Sequence, residues 1–176
     1  QPGAPVFPGD TPYQQQWSAT IGPGCPVNVS AITLSPHVGA HADAPLHYED
    51  GGASAGAMDL EPFIGHCRVI HAIACGPLVQ WRDVAHSLPA GEAVPPRILL
   101  RTCRQQPRQW DPQLIGIAPD LVERLADLGV RLIGIDSASV DPADSVALES
   151  HQALRRRGLR VLENLLLDAV PEDDYE

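Results

Sequence analysis

Apolar positions fall in short, irregular blocks through the first part of the chain and become regular only after Pro119. Val27 to Leu34 alternates weakly and carries β-branched residues, which predicts a strand. His66 to Ala74 (HCRVIHAIA) and Arg97 to Cys103 (RILLRTC) predict two more, with one or two helical turns between them over Val79 to His86. From Pro119 onward, Leu121, Val122, Leu125 and Leu128 share one helical face and Gly129 stands just past its end. Val130 to Ile135 is rich in branched residues and predicts a strand. Asp141-Pro142 offers an N-cap and a first-turn proline, so the next helix is predicted to run from 142 to about Arg157 and stop at Gly158. Leu159 to Leu167 (LRVLENLLL) is the last predicted strand. The helix–strand–helix–strand order indicates an α/β layer arrangement.

Eighteen prolines and fifteen glycines imply many turns. Residues 1–27 hold six of the prolines and are predicted to be mostly loop, as are residues 49–62 around Gly51-Gly52. The N-terminal half is thus loop-rich. A length of 176 residues suits one domain over 1–176, and neither a repeat nor a linker interrupts it. The net charge of −10 speaks against nucleic acid or an anionic membrane surface as a partner. No apolar stretch is long enough for a transmembrane helix. The opening Gln1-Pro2-Gly3-Ala4-Pro5 lacks the features of a signal peptide. The chain does not begin with Met, and the acidic run Asp168 to Glu176 looks like a solvated loop or tail, so both ends can be incomplete. Cys25, Cys67, Cys75 and Cys103 form no C-x-x-C pair and read as buried, reduced thiols of a cytoplasmic protein, a catalytic cysteine being the minor alternative.

Chemistry concentrates in His37-Val38-Gly39-Ala40-His41-Ala42-Asp43-Ala44-Pro45-Leu46-His47. His37, His41, Asp43 and His47 all occupy odd positions, and in an extended chain residues of one parity point the same way. Gly39 and Pro45 argue against a helix. One extended segment can therefore aim three imidazoles and a carboxylate at one point, as a Lewis-acid metal requires. His47 is either a ligand or a free proton carrier.

Two residues far along the chain can join the cluster. Glu163 lies amid leucines in the last strand, where a lone carboxylate is costly without a partner or a metal. His151 falls in the preceding helix. Together they complete a two-metal set: His37, His41 and Asp43 for one ion, and Asp43, His151 and Glu163 for the other. His66, His71 and His86 read as structural or surface residues. In Gly134 to Pro142 (GIDSASVDP), Ser137, Ser139 and Asp141 read as turn and cap residues at a strand's carboxyl end, and Asp136 lies near the site without an assigned role.

HVGAHADAPLH resembles the H-x-G-T-H-x-D-x-P-x-H motif of the metal-dependent cyclase-like hydrolases, with Ala40 where Thr is usual. Pro8-Gly9-Asp10-Thr11-Pro12, GIDSASVDP, and His151 followed twelve residues later by Glu163 match as well. The resemblance spans nearly the whole chain. PGDTPYQQQW, LSPHVGAHADAPLHY and GVRLIGIDSASVDP bring it nearest to the bacterial kynurenine formamidases, or arylformamidases. It implies a swivelling β/β/α fold with a mixed sheet and a homodimer. It implies two zinc ions on His37, His41, Asp43, His151 and Glu163, with Asp43 bridging; Mn, Co or Fe would suit the same donors. It implies His47 as proton donor or acceptor and Phe7, where Trp is expected, as a substrate contact. The implied reaction is hydrolysis of N-formyl-L-kynurenine to L-kynurenine and formate in tryptophan degradation. The rivals are another amidohydrolase of the family, opening a cyclic amide such as isatin, and a non-catalytic metal-binding protein, which would need no free His47.

Overall fold

Branched aliphatic side chains crowd a helix but pack well on a pleated surface, and the segments rich in them build the main sheet. The computed structural model describes residues 3–176. In chain order its elements are β1 (Gln14–Ala19), β2 (Val29–Thr33), β3 (His41–Asp43), β4 (Cys67–His71), β5 (Leu78–Val79), α1 (Trp81–Val84), β6 (Arg97–Arg101), β7 (Gly116–Ile117), α2 (Pro119–Asp127), β8 (Leu132–Ile135), α3 (Glu149–Arg157), β9 (Arg160–Glu163) and β10 (Asp173–Tyr175).

The main sheet has the order β10-β4-β6-β8-β9-β3. Its four inner strands are parallel, while β10 and β3 run antiparallel at the two edges. The fold is therefore mixed α/β. Helices α2 and α3 pack against each other and cover one face. Ile70, Ile98, Leu100, Ile133, Ile135 and Val161 meet Leu121, Leu125 and Leu154 in the core beneath them. The opposite face is also tightly filled. A Cβ on Gly134 would come within 2.6 Å of the tip of Leu99 and 2.7 Å of the tip of Leu165, so a larger residue there would require those side chains to shift.

Three readings of the sequence change. The proline-rich start is not all loop, because β1 pairs with β2 as a separate antiparallel hairpin. The acidic end is not a free tail: β10 closes the sheet edge against β4. Its carboxylates have partners, with Arg68 donating to Asp174 at 2.8 Å and Ser87 and the His71 amide donating to Glu172. The third helix begins at Glu149, not at 142. The stretch after Pro142 spends itself on turns, with Leu148 in the left-handed region at φ 48°. Helix α2 starts at Pro119 as expected.

Candidate metal centre

The histidine run is not one extended segment. Only His41–Asp43 is strand, and there the equal-parity argument holds for His41 and Asp43. His37 arrives on the preceding turn, where Gly39 takes φ +77°, a conformation that favours glycine. That turn is anchored from the N-terminal loop: Asp10 accepts from the Ser35 hydroxyl at 2.9 Å, and the same hydroxyl accepts from the His37 amide at 3.3 Å. His47 arrives on a short 3-10 turn that starts at Pro45. Two tight turns thus do what an unbroken strand could not.

Strand pairing supplies the distant partner. β3 lies antiparallel to β9 with His41 directly opposite Glu163. Helix α3 places His151 in its first turn, facing the same point. Asp43 sits at the middle. Its Oδ1 is 2.9 Å from His37 Nδ1 and 3.2 Å from His41 Nε2, and its Oδ2 is 3.4 Å from His151 Nε2. Glu163 lies 3.6 Å from both His41 Nε2 and His151 Nε2, and its Oε1 accepts from the Val140 amide at 2.8 Å. His37, His41, Asp43, His151 and Glu163 therefore converge as the sequence suggested. Ligand atoms of His47, Asp43 and His151 also lie within 4.8 Å of one another.

The donor set fits a cation. Asp43 Oδ1 is buried and receives no hydrogen bond of proper geometry from any described residue, a costly arrangement for a carboxylate unless positive charge lies beside it. Two of the imidazoles are held in one tautomer from behind. His41 Nδ1 donates to the Gly39 carbonyl at 2.8 Å, and His151 Nδ1 donates to Asp141 at 2.7 Å. In the neutral ring each then presents a lone pair on Nε2 to the cluster. The electrostatics agree. Burial works to raise Asp43, but its three histidines hold it far below the ordinary carboxylate range. Burial and the Asp43 charge push Glu163 up to about 7. Burial works to lower His151, yet Asp141 and Asp43 bring it up to about 9. A cluster with these carboxylates favours positive charge, which a bound metal ion would supply.

The sequence missed several supporting residues. Asp141 does not cap a helix at 142; its two oxygens accept from the amides of Ser150 and His151 at 2.8 and 3.0 Å, capping α3 from a distance. Tyr48 packs its ring 5.1 Å from that of His151. Asp136 turns out to be structural, accepting from the amides of Thr102 and Cys103 and from the Thr102 hydroxyl. Burial and the neighbouring Asp136 push the Cys103 thiol up to about 12, which disfavours the thiolate a nucleophile needs. All four cysteines are free and partly exposed rather than buried. His66, His71 and His86 stay outside the cluster, near Glu176, Val170 and Glu172 respectively. Phe7 is half-exposed and meets Trp110 edge-on at 4.6 Å. Behind Gly39 and Ala40 lies a cavity of about 740 Å³ that Trp110 helps to line.

A mixed α/β sheet with a histidine–carboxylate cluster at its edge defines the class: a metal-binding α/β protein. The chain belongs to the Cyclase family, whose model matches residues 1–142. More particularly, it is 67% identical over 176 residues to the kynurenine formamidase of Delftia acidovorans, a match covering 100% of this chain and 83% of that protein. Among solved structures, one described as a potential metal-dependent hydrolase with cyclase activity superposes with a TM-score of 0.78 at 28% identity, over 98% of this chain and 81% of that one. An isatin hydrolase bound to the product analogue thioisatinate shares the fold at a TM-score of 0.75 and 20% identity, over 97% of this chain and 78% of that one.

Proposed function

We propose that this chain is a single catalytic domain that hydrolyses N-formyl-L-kynurenine to L-kynurenine and formate. The full-length identity of 67% to a kynurenine formamidase carries the reading, and the converging histidine–carboxylate cluster supports it. His37, His41 and Asp43 would hold one zinc ion, and Asp43, His151 and Glu163 a second, with Asp43 shared. Bound metal supplies Lewis acidity, which makes water a nucleophile at neutral pH and polarises a carbonyl.

The chain's own residues handle position and protons. Asp141 and the Gly39 carbonyl fix the His151 and His41 rings, so the cluster needs little reorganisation during reaction. His47 is exposed at the edge of the cluster, its ring 4.1 Å from that of His37 and 6.0 Å from that of His151. Desolvation by surrounding protein atoms pushes its pKa below the ordinary imidazole value, so a ring nitrogen is free to accept a proton at neutral pH. It takes that proton from the attacking water and returns it to the anilide nitrogen as the C–N bond breaks. The water oxygen ends in formate and the proton in the arylamine. Phe7 supplies aromatic surface for the substrate ring.

The acting unit is a homodimer. The β1–β2 hairpin supports this, since Trp17 and Ile32 are each 54% exposed on a ribbon with little of its own to pack against, and an isolated two-stranded hairpin is marginal in water. Among the described residues no helix is long and apolar enough to cross a membrane. Four free thiols fit the reducing cytoplasm. The deciding experiment is a metal-defined assay of the purified protein on N-formyl-L-kynurenine beside isatin. Turnover of the formamide is expected, and turnover of isatin alone would overturn the reading.

A further inference from the structure

The cavity behind Gly39 and Ala40 has no part in the proton chemistry, yet it shares a wall with the metal centre. Gly39 and Ala40 lie between His37 and His41, and Asn164, another wall residue, follows Glu163. Consecutive Cα atoms are about 3.8 Å apart, so the cavity begins within the span of a residue or two of the ligands. It opens by the carboxyl ends of β6, β8 and β9, where parallel sheets gather ligands. Its volume of about 740 Å³ is that of a small-molecule site.

The opposite wall comes from residues 104–115, an irregular connection between β6 and β7. Loops of this length without secondary structure more often serve a ligand than a connection. This one brings Arg108 and Trp110 to the cavity. Arg108 is the only basic residue on its described walls and makes no ion pair with a described carboxylate, unlike Arg68 or Arg157. Trp110 is steadied by the edge of Phe7. Asp111 and Asp168 also line the cavity, each using one oxygen to accept a backbone amide, at 2.9 and 2.8 Å. The walls thus offer a guanidinium, carboxylates and an indole face. A guanidinium pairs bidentately with a carboxylate, an acid accepts from an ammonium, and an indole stacks on an aryl ring.

We propose that this cavity binds the non-reacting end of the substrate, an α-amino acid borne on an aryl ketone, with Arg108 as the residue that selects for the carboxylate. The inference rests on the formamidase reading above and adds what that reading leaves open, namely how the enzyme tells an amino acid from a plain formanilide.

The test compares metal-loaded wild type, Arg108→Gln and Arg108→Lys on N-formyl-L-kynurenine and on 2-formamidoacetophenone, which lacks the amino-acid tail. Alongside, binding of L-kynurenine and of 2-aminoacetophenone is read by quenching of tryptophan fluorescence. Arg108→Gln is expected to lower kcat/KM for the amino-acid substrate about tenfold or more, through KM, and to weaken L-kynurenine binding to a similar degree. The tailless pair should shift less than about twofold, and Arg108→Lys should recover part of the loss. Equal losses on both substrates, or no loss on either, overturn the subsite while the formamidase reading stands. A wild type that turns over neither formamide overturns both.

Discussion

Asp43 is the hinge of the metal centre at the scale of single residues. Its two oxygens face different histidines, and Oδ1, buried like the rest of the side chain, receives no hydrogen bond of proper geometry from a described residue. A carboxylate in that position is tolerable only beside positive charge, which is why three histidines and a second acid can share so small a volume. Replacement of His47 by Ala is expected to cost roughly 10²- to 10⁴-fold in turnover, the usual worth of a positioned proton carrier, with metal content intact. Loss of one metal equivalent, read by elemental analysis, would make His47 a ligand instead. Glu163→Gln keeps the shape and removes the charge, so under the proposed two-ion arrangement metal per chain should fall from two toward one; a variant that still holds two would count against the ligand assignment. The cluster's members were legible because histidine and carboxylate spacing speaks directly of chemistry. Asp10, Ser35 and Tyr48 were not, since hydroxyls, a lone acid and a lone aromatic fit too many ordinary roles.

At the scale of elements, α3 shows how a local signal can mislead. Asp141-Pro142 looks like a helix start, but the chain turns for several residues before the helix forms, and Asp141 reaches across that gap to cap it. The same carboxylate fixes the His151 ring. Asp141→Asn should therefore do two things at once: weaken metal binding about 10- to 100-fold, as loss of a ligand's supporting acceptor does, and lower stability by about 1 kcal/mol or more, because one of the two oxygens that accept the Ser150 and His151 amides becomes a donor. A metal titration together with thermal melts of the metal-free protein separates the two. A change in melting with unaltered affinity would leave Asp141 a cap and nothing more. The edge strand β10 was illegible for another reason: an acidic run lacks the apolar alternation that marks a strand, and its pairing depends on Arg68 and His71, a hundred residues earlier. β5 and β7 are two residues each, too short to carry any period.

The docking of β10 should respond to acid. Arg68 holds Asp174 below its ordinary pKa; Ser87, the His71 amide and His86 do the same for Glu172 against the opposing effect of burial. Each group's folded pKa lies below its unfolded value of about 4. Their contribution is therefore complete above that value and is lost as the pH falls through the depressed one. Faster hydrogen exchange of the β4 and β10 amides at low pH, ahead of the core strands, is the expected sign. Exchange that rises uniformly across the sheet would show that the carboxylates do not hold this edge.

For the whole molecule, the inner parallel strands and the helices that cover them were legible because long apolar periods can be met only by an α/β layer. The β1–β2 hairpin was hidden by prolines and by side chains that the single chain leaves exposed. If a second copy covers that hairpin, Ile32→Glu should shift the protein from dimer to monomer in light scattering while the fold, by circular dichroism, persists. A dimer that survives the charge places the interface elsewhere.

The pairing of β3 with β9 carries a last consequence, for biosynthesis. His41 and Asp43 leave the ribosome more than a hundred residues before the strand beside them, which carries Glu163. A nascent chain can present His37, His41 and Asp43 to a metal only as a loose, solvent-washed trio. The complete cluster waits until β9 has been made and paired with β3, so tight metal loading there follows synthesis of that strand rather than of the histidine run.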